Sequence, residues 1–169
     1  MSDKQLNQIL YTDLDHELHT ARRMLERYPS GNGDWKPHEK SMSLGILASH
    51  VADIPSYGTM ILGTDGLDFA ARPPSLPKAR ENAAELLAAF DKHSAELRAA
   101  LDGMDAKNAE SNWTLRQGDK VLFSRPRSEL VRHMMINHLV HHRAQLGVYY
   151  RMLDIPVPGS YGPSADEPM

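Results

Sequence analysis

The chain has 169 residues, with 19 Lys and Arg against 22 Asp and Glu, a net charge of −3, and no cysteine. That length suits one domain with a core of its own, and the charge supplies no basic field for nucleic acid or an anionic membrane surface. Without thiols there is no disulfide framework, zinc ribbon, iron–sulfur cluster or protein-thiol nucleophile.

The opening residues lack the basic start and apolar run of a signal peptide, and no window reaches the roughly 18 to 20 apolar residues of a membrane span. A soluble, cytoplasmic protein is expected. Leu6, Leu10, Leu14, Ala21, Met24, Leu25 and Tyr28 share one arc at 3.6-residue spacing, which predicts a first amphipathic helix over about 3–28, ended by Pro29 to Gly33. A second stripe, Ile46, Leu47, His50, Ile54, Tyr57 and Ile61, predicts a helix over about 40–62, interrupted by Pro55 one turn beyond His50.

Pro73, Pro74 and Pro77 mark an extended connector, and the spacing of Ala79, Ala83, Leu86, Leu87, Phe90, Leu97 and Leu101 predicts a third helix over 78–102. Trp113 to Phe123 reads as a short hairpin turning at Gly118 and Asp119. A fourth helix is expected from Ser128 to about Leu153, where Pro156, Pro158 and Gly159 stop it. Four long helices dominate this pattern, so the expected fold is all-α: a four-helix bundle with long crossover connections. It forms a single domain over 1–169 with an extended tail from about 155, rich in Pro, Gly and Ser, that packs as a strap or frays.

Three of nine histidines lie at 138, 141 and 142. His138 and His142 are one turn apart on a shared face, the spacing by which one helix offers two imidazoles to one ion. Leu139 and Val140 follow His138, so the glutamate of a metalloprotease helix is missing. His138 and His141 are also compatible with one face. Two imidazoles seldom hold a metal tightly, and His50, inside the apolar stripe of another helix, is the natural third ligand. Three imidazoles and an open position could activate a water, a carbonyl or a substrate thiol. The competing reading is three separate core or surface histidines.

The segments Asp34-Trp35-Lys36-Pro37, Ser43 to His50 and Met135 to Tyr149, with its Asn137-His138-x2-His141-His142-Arg143-x-Gln145 string, resemble the DinB superfamily. The ending Ile155 to Ser164 resembles the tails of one bacterial branch. The resemblance implies a crossed four-helix bundle, commonly a homodimer, with a divalent metal on three histidines, carried here onto His50, His138 and His142. His141 is then a neighbour of the ligands.

Zinc and nickel lead among the ions imidazole suits. Relatives include transferases and isomerases that use low-molecular-weight thiols. The implied function is therefore a metal-dependent, thiol-dependent transferase-like enzyme acting on a small molecule. A metal-dependent hydrolase and a non-enzymatic, metal-binding stress-response dimer are the alternatives.

Glu17 falls inside the apolar stripe of the first helix, where it either reaches the metal pocket as ligand or general base, or pairs with an arginine. Gln145 and Tyr149 continue the histidine face and are candidates to contact a bound water or substrate, Tyr149 being equally a core residue with its hydroxyl satisfied. His16 and His19 sit off the apolar arc on a solvated face. His38, His93 and His133 gain no support from spacing, and Arg143 is a candidate contact beside the ligands or in a dimer on the resemblance alone.

Overall fold

The structure, a computed structural model, describes residues 11–72, 75 and 78–168. Leu6 and Leu10 of the first stripe, and Pro73, Pro74 and Pro77, lie outside them. Helix α1 spans Leu14–Glu26 and buries Leu14, Leu18, Ala21, Met24 and Leu25 along one stripe. The second predicted helix is two: α2 (Leu44–Asp53) and α3 (Pro55–Gly63). Ser43 caps α2 by accepting the Ile46 N–H at 3.5 Å. Ile54 still bonds the His50 carbonyl at 3.0 Å, and Pro55 then takes the first position of α3, where a missing N–H costs nothing.

Helix α4 (Ala83–Asp102) begins five residues later than its apolar spacing suggested, because Asn82 and Glu85 cap each other: Asn82 Oδ1 accepts the Glu85 N–H at 3.0 Å and Glu85 Oε1 accepts from Asn82 Nδ2 at 3.0 Å. A short α5 (Ala106–Glu110) follows. The fourth predicted helix is composite: α6 (Arg127–Val131), a π-helical turn (Arg132–Asn137) and α7 (His138–Met152).

The expectation of an all-α protein is corrected by a small sheet. Strands β2 (Asn112–Gln117) and β3 (Lys120–Pro126) form the hairpin at Gly118 and Asp119 that the sequence suggested, and β1 (Gly66–Asp68) adds a third strand, parallel to β2, in the order β1-β2-β3. Gly118 takes the positive φ, 58°, of the two-residue turn, and its N–H is held by Asp68 Oδ1 at 2.9 Å. Gly66 admits the third strand because a Cβ there would come within 2.3 Å of the Thr114 carbonyl oxygen. Three residues leave no readable alternation, so β1 had no signature in the sequence.

Trp113 and Leu115 alternate inward from β2 onto the helices. The buried Arg127 ties the hairpin to the end of α3, donating to the carbonyls of Ile61 (3.0 Å), Thr64 (2.8 Å) and Asn112 (3.3 Å) and pairing with Asp65 at 2.9 Å. Within the bundle, α1 packs on α4 and α7, and α2 packs on the same two helices. Consecutive α1 and α2 thus sit nearly diagonal, the crossover arrangement that long connections permit. Among the described residues no helix is long and apolar enough to cross a membrane.

The tail from Ile155 is packed as a strap. Asp166 Oδ2 accepts from the Val157 N–H at 2.8 Å and from Arg151 Nη2 at 2.6 Å, and Glu167 accepts from the Gly159 N–H at 3.1 Å while pairing with Arg23 and Arg27. The Arg151 guanidinium holds Asp166 below the ordinary carboxylate range, and Arg23 does the same for Glu167. A carboxylate whose pKa is depressed on docking favours the docked state above its free pKa and loses that contribution as pH falls through the depressed value. The Val157 and Gly159 amides should therefore keep their hydrogen-exchange protection at pH 5 and lose it only below about pH 4, where free carboxylates protonate. Protection lost already between pH 6 and 5 would show that these contacts do not hold the strap.

Candidate metal centre

Two helices from distant parts of the chain build the site. The α2 stripe carries Leu47 and Val51 into the core on either side of His50, which is half-buried at the α2/α7 contact. On the facing helix, His138 and His142 are one turn apart, and Leu139 and Leu146 anchor the same helix in the core. The three ring centroids form a nearly equilateral triangle with sides of 4.6, 4.7 and 4.9 Å.

Nε2 of His50 lies 3.1 Å from Nε2 of His138, and one ring nitrogen from each of the three lies within 4.8 Å of the others. Two nitrogens each about 2.0–2.1 Å from one ion are separated by roughly 3.0–3.4 Å. The His50 and His138 nitrogens already have that separation, and the nitrogen of His142 lies within 4.8 Å of both.

The outer nitrogens are committed in a way that favours this. Nδ1 of His142 donates to Gln145 Oε1 at 2.7 Å, and Nδ1 of His138 donates to the Met134 carbonyl at 3.3 Å. A proton held on Nδ1 leaves the lone pair on Nε2, inside the triangle. Where the π-helical turn ends, the backbone N–H of His138 bonds the Met135 carbonyl three residues back, rather than the Met134 carbonyl four residues back that it would reach in a regular α-helix. The Met134 oxygen can then receive the imidazole proton.

Electrostatics agree. Burial is the main cause lowering the His50 pKa, to about 4, with His142 and His138 adding to it and Asp53 opposing. Burial also lowers His138 and His142. All three are neutral at pH 7, the form that binds metal. The donor set, three neutral imidazoles with no carboxylate among the described residues of the group, fits a borderline divalent ion and leaves at least one position open.

The structure thus brings together His50, His138 and His142. His141 is exposed, with its ring edge-on to His142 at 4.7 Å, so packing separates the two pairings that periodicity left open. Glu17 is not with them. It is 4 % exposed and forms an ion pair with the equally buried Arg143, and its Oε1 accepts from the Tyr161 hydroxyl at 2.8 Å. The arginine partner weighed for Glu17 is therefore the contact present.

Gln145 touches the site through His142, and the Tyr149 hydroxyl donates to the Met42 carbonyl at 3.2 Å while its ring meets Trp35 edge-on. His16 and His19 are exposed, as expected of a solvated face. Sequence reasoning missed Met134, whose contribution is a backbone carbonyl and carries no residue-type signal. It also took Tyr57 for an ordinary member of an apolar stripe, whereas its ring stacks on His138 at 5.8 Å.

A model of the DinB family matches residues 1–168. Among solved structures, the chain is similar to a DinB-like protein from Bacillus cereus at 19% identity and a TM-score of 0.65, covering 90% of this chain and 95% of that one. It is also similar to a DinB-like protein from Bacillus subtilis at 18% identity and a TM-score of 0.65, covering 88% and 96%. At such identities the likeness is one of fold. No curated protein matches the chain.

Proposed function

The chain belongs to the DinB family, and on that premise we propose that it is a divalent-metal protein, with zinc or nickel on His50, His138 and His142, that serves as an enzyme of small-molecule chemistry using an external low-molecular-weight thiol. The observation that carries this reading is the convergence of three neutral imidazoles whose outer N–H groups, on His138 and His142, are already donated.

Bound there, such an ion supplies Lewis-acid stabilisation of a thiolate at neutral pH. The chain's own part is positional. Gln145 and the Met134 carbonyl hold two imidazoles in the binding tautomer, and burial keeps the third unprotonated. Tyr149 ties α7 to the segment leading into α2 through Met42, which steadies the two helices against each other.

The thiol reading is supported by the soft-to-borderline character of an imidazole-bound zinc or nickel ion. It is also consistent with a chain that has no cysteine to act as the nucleophile. A hydrolytic mechanism with Glu17 as base is less favoured, because that carboxylate is held by Arg143 and Tyr161.

The test is spectroscopic. Untagged protein loaded with cobalt(II) and titrated with 2-mercaptoethanol should develop a saturable sulfur-to-metal charge-transfer band in the near ultraviolet. Full cobalt loading without such a band would overturn the thiol reading, and failure to take up cobalt, zinc or nickel would overturn the metal reading itself.

A further inference from the structure

Helix α3 places one more side chain against the histidine group. Tyr57 lies seven residues beyond His50, across the Pro55 break, and is half-buried. Its ring is nearly parallel to the imidazole of His138, with centroids 5.8 Å apart and planes 21° apart, and it tilts against His50 at 6.1 Å and 60°. The ring therefore walls one side of the site.

The hydroxyl is the unusual part. It has no hydrogen-bond partner among the described residues, yet it does not belong with the hydroxyls of Thr59, Ser94 and Tyr150, which are sealed in the interior without one. A half-buried phenol beside three imidazoles, open at its oxygen, is a hydrogen-bond donor without an acceptor among the described residues.

Two charged groups bear on the phenol. The nearby Asp53 carboxylate is already engaged by Arg80, at 2.7 and 3.3 Å, with Nδ1 of His93 at 3.6 Å. Arg72 lies close enough to oppose the upward pull that burial and Asp53 exert on the phenol. Arg72 itself is exposed and forms no ion pair among the described residues. The carboxylate that bears on the phenol is thus already paired with Arg80, and the guanidinium has no ion-pair partner among the described residues.

We infer that Tyr57 determines which ligand shares the metal centre: its ring shields one side of the histidine group, and its hydroxyl donates a hydrogen bond to a small anionic ligand, a thiolate or carboxylate, held at the open position. This rests on the metal reading above. A phenol keeps its proton at neutral pH, so the hydrogen bond is made by the ordinary form of the residue. A hydrogen bond to a charged acceptor in a partly buried site, once lost, weakens binding by about tenfold or more.

The experiment uses the full chain loaded with cobalt(II) and azide as the anionic probe, followed by visible absorption. Tyr57→Phe should take up the same cobalt and melt at the same temperature as the wild type, while its azide dissociation constant rises about tenfold. Tyr57→Leu, which also removes the wall, should lose at least as much azide affinity and serves where the first variant is poorly folded. Azide binding by well-folded, cobalt-loaded Tyr57→Phe within twofold of wild type would overturn the assignment and leave the metal reading standing. Elemental analysis showing no cobalt in the wild type would overturn both, so the two failures are told apart by metal content alone.

Discussion

His138→Ala should reduce bound metal from about one ion per chain to background while the protein stays folded, and His50→Ala should do the same. Each substitution leaves two of the three imidazoles that converge within 4.8 Å. Losing a residue that merely orients a ligand already weakens metal binding by roughly 10- to 100-fold, and losing a ligand exceeds that. The fold survives because the helices do not depend on the ion: Leu47, Val51, Leu139 and Leu146, which flank the histidines in sequence, are at most 1 % exposed.

Metal should therefore add stability by mass action. A ligand present at 100 times its dissociation constant contributes about 2.7 kcal/mol, so loaded wild type should melt above both the metal-free protein and His138→Ala, which should melt together. Elemental mass spectrometry on untagged protein and a thermal melt with and without metal provide the check. Stoichiometric metal retained by both variants would place the ion elsewhere. Loss of cooperative unfolding on metal removal would show that the bundle needs the ion in order to fold.

The second large effect is predicted away from the histidines. Arg143→Ala should destabilise the protein by about 3–5 kcal/mol, the usual result of removing one partner of a buried ion pair and leaving the other charge unpaired. Arg143 and Glu17 have side chains 3 % and 5 % exposed. Arg143 Nη2 also donates to the Tyr161 hydroxyl at 2.8 Å, which in turn donates to Glu17 Oε1.

The network joins α1, α7 and the strap at one point, so its loss should also release the tail. The combined replacement Glu17→Leu, Arg143→Met and Tyr161→Phe should recover much of the stability, because no unpaired charge remains. Urea unfolding of the single and triple variants decides the matter. A single variant within about 1 kcal/mol of wild type would show that the pair contributes little, as exposed pairs do.

Much of this arrangement was legible in the sequence, but unevenly. The apolar stripes located the bundle helices to within a few residues wherever the described residues reach, since burying one face is what makes those segments helical. Pro55 announced the break between α2 and α3. The hairpin could be read because Gly118 supplies the positive φ of a two-residue turn between runs rich in strand formers. Helix boundaries were less legible: the start of α4 is set by the reciprocal cap of Asn82 and Glu85, which outweighs an apolar spacing that extends further back.

By itself the sequence determined the local periodicities: which faces are apolar, where chain breakers fall, and that His138 and His142 share a helical face with an inward His50 elsewhere. Each follows from repeats of a few residues, and short-range geometry reads such repeats directly. The tertiary structure alone decided the pairings across long separations. His50 meets His138 over 88 positions, Glu17 meets Arg143 over 126, and Gly66 finds Thr114 to add a third strand.

The same packing excluded His141 from the triangle and turned Tyr57 from a stripe residue into a wall of the site. These outcomes depend on how the helices cross and on where the π-helical turn gives way to α7. Both are fixed by the joint packing of the whole core, and no single stretch of residues encodes them.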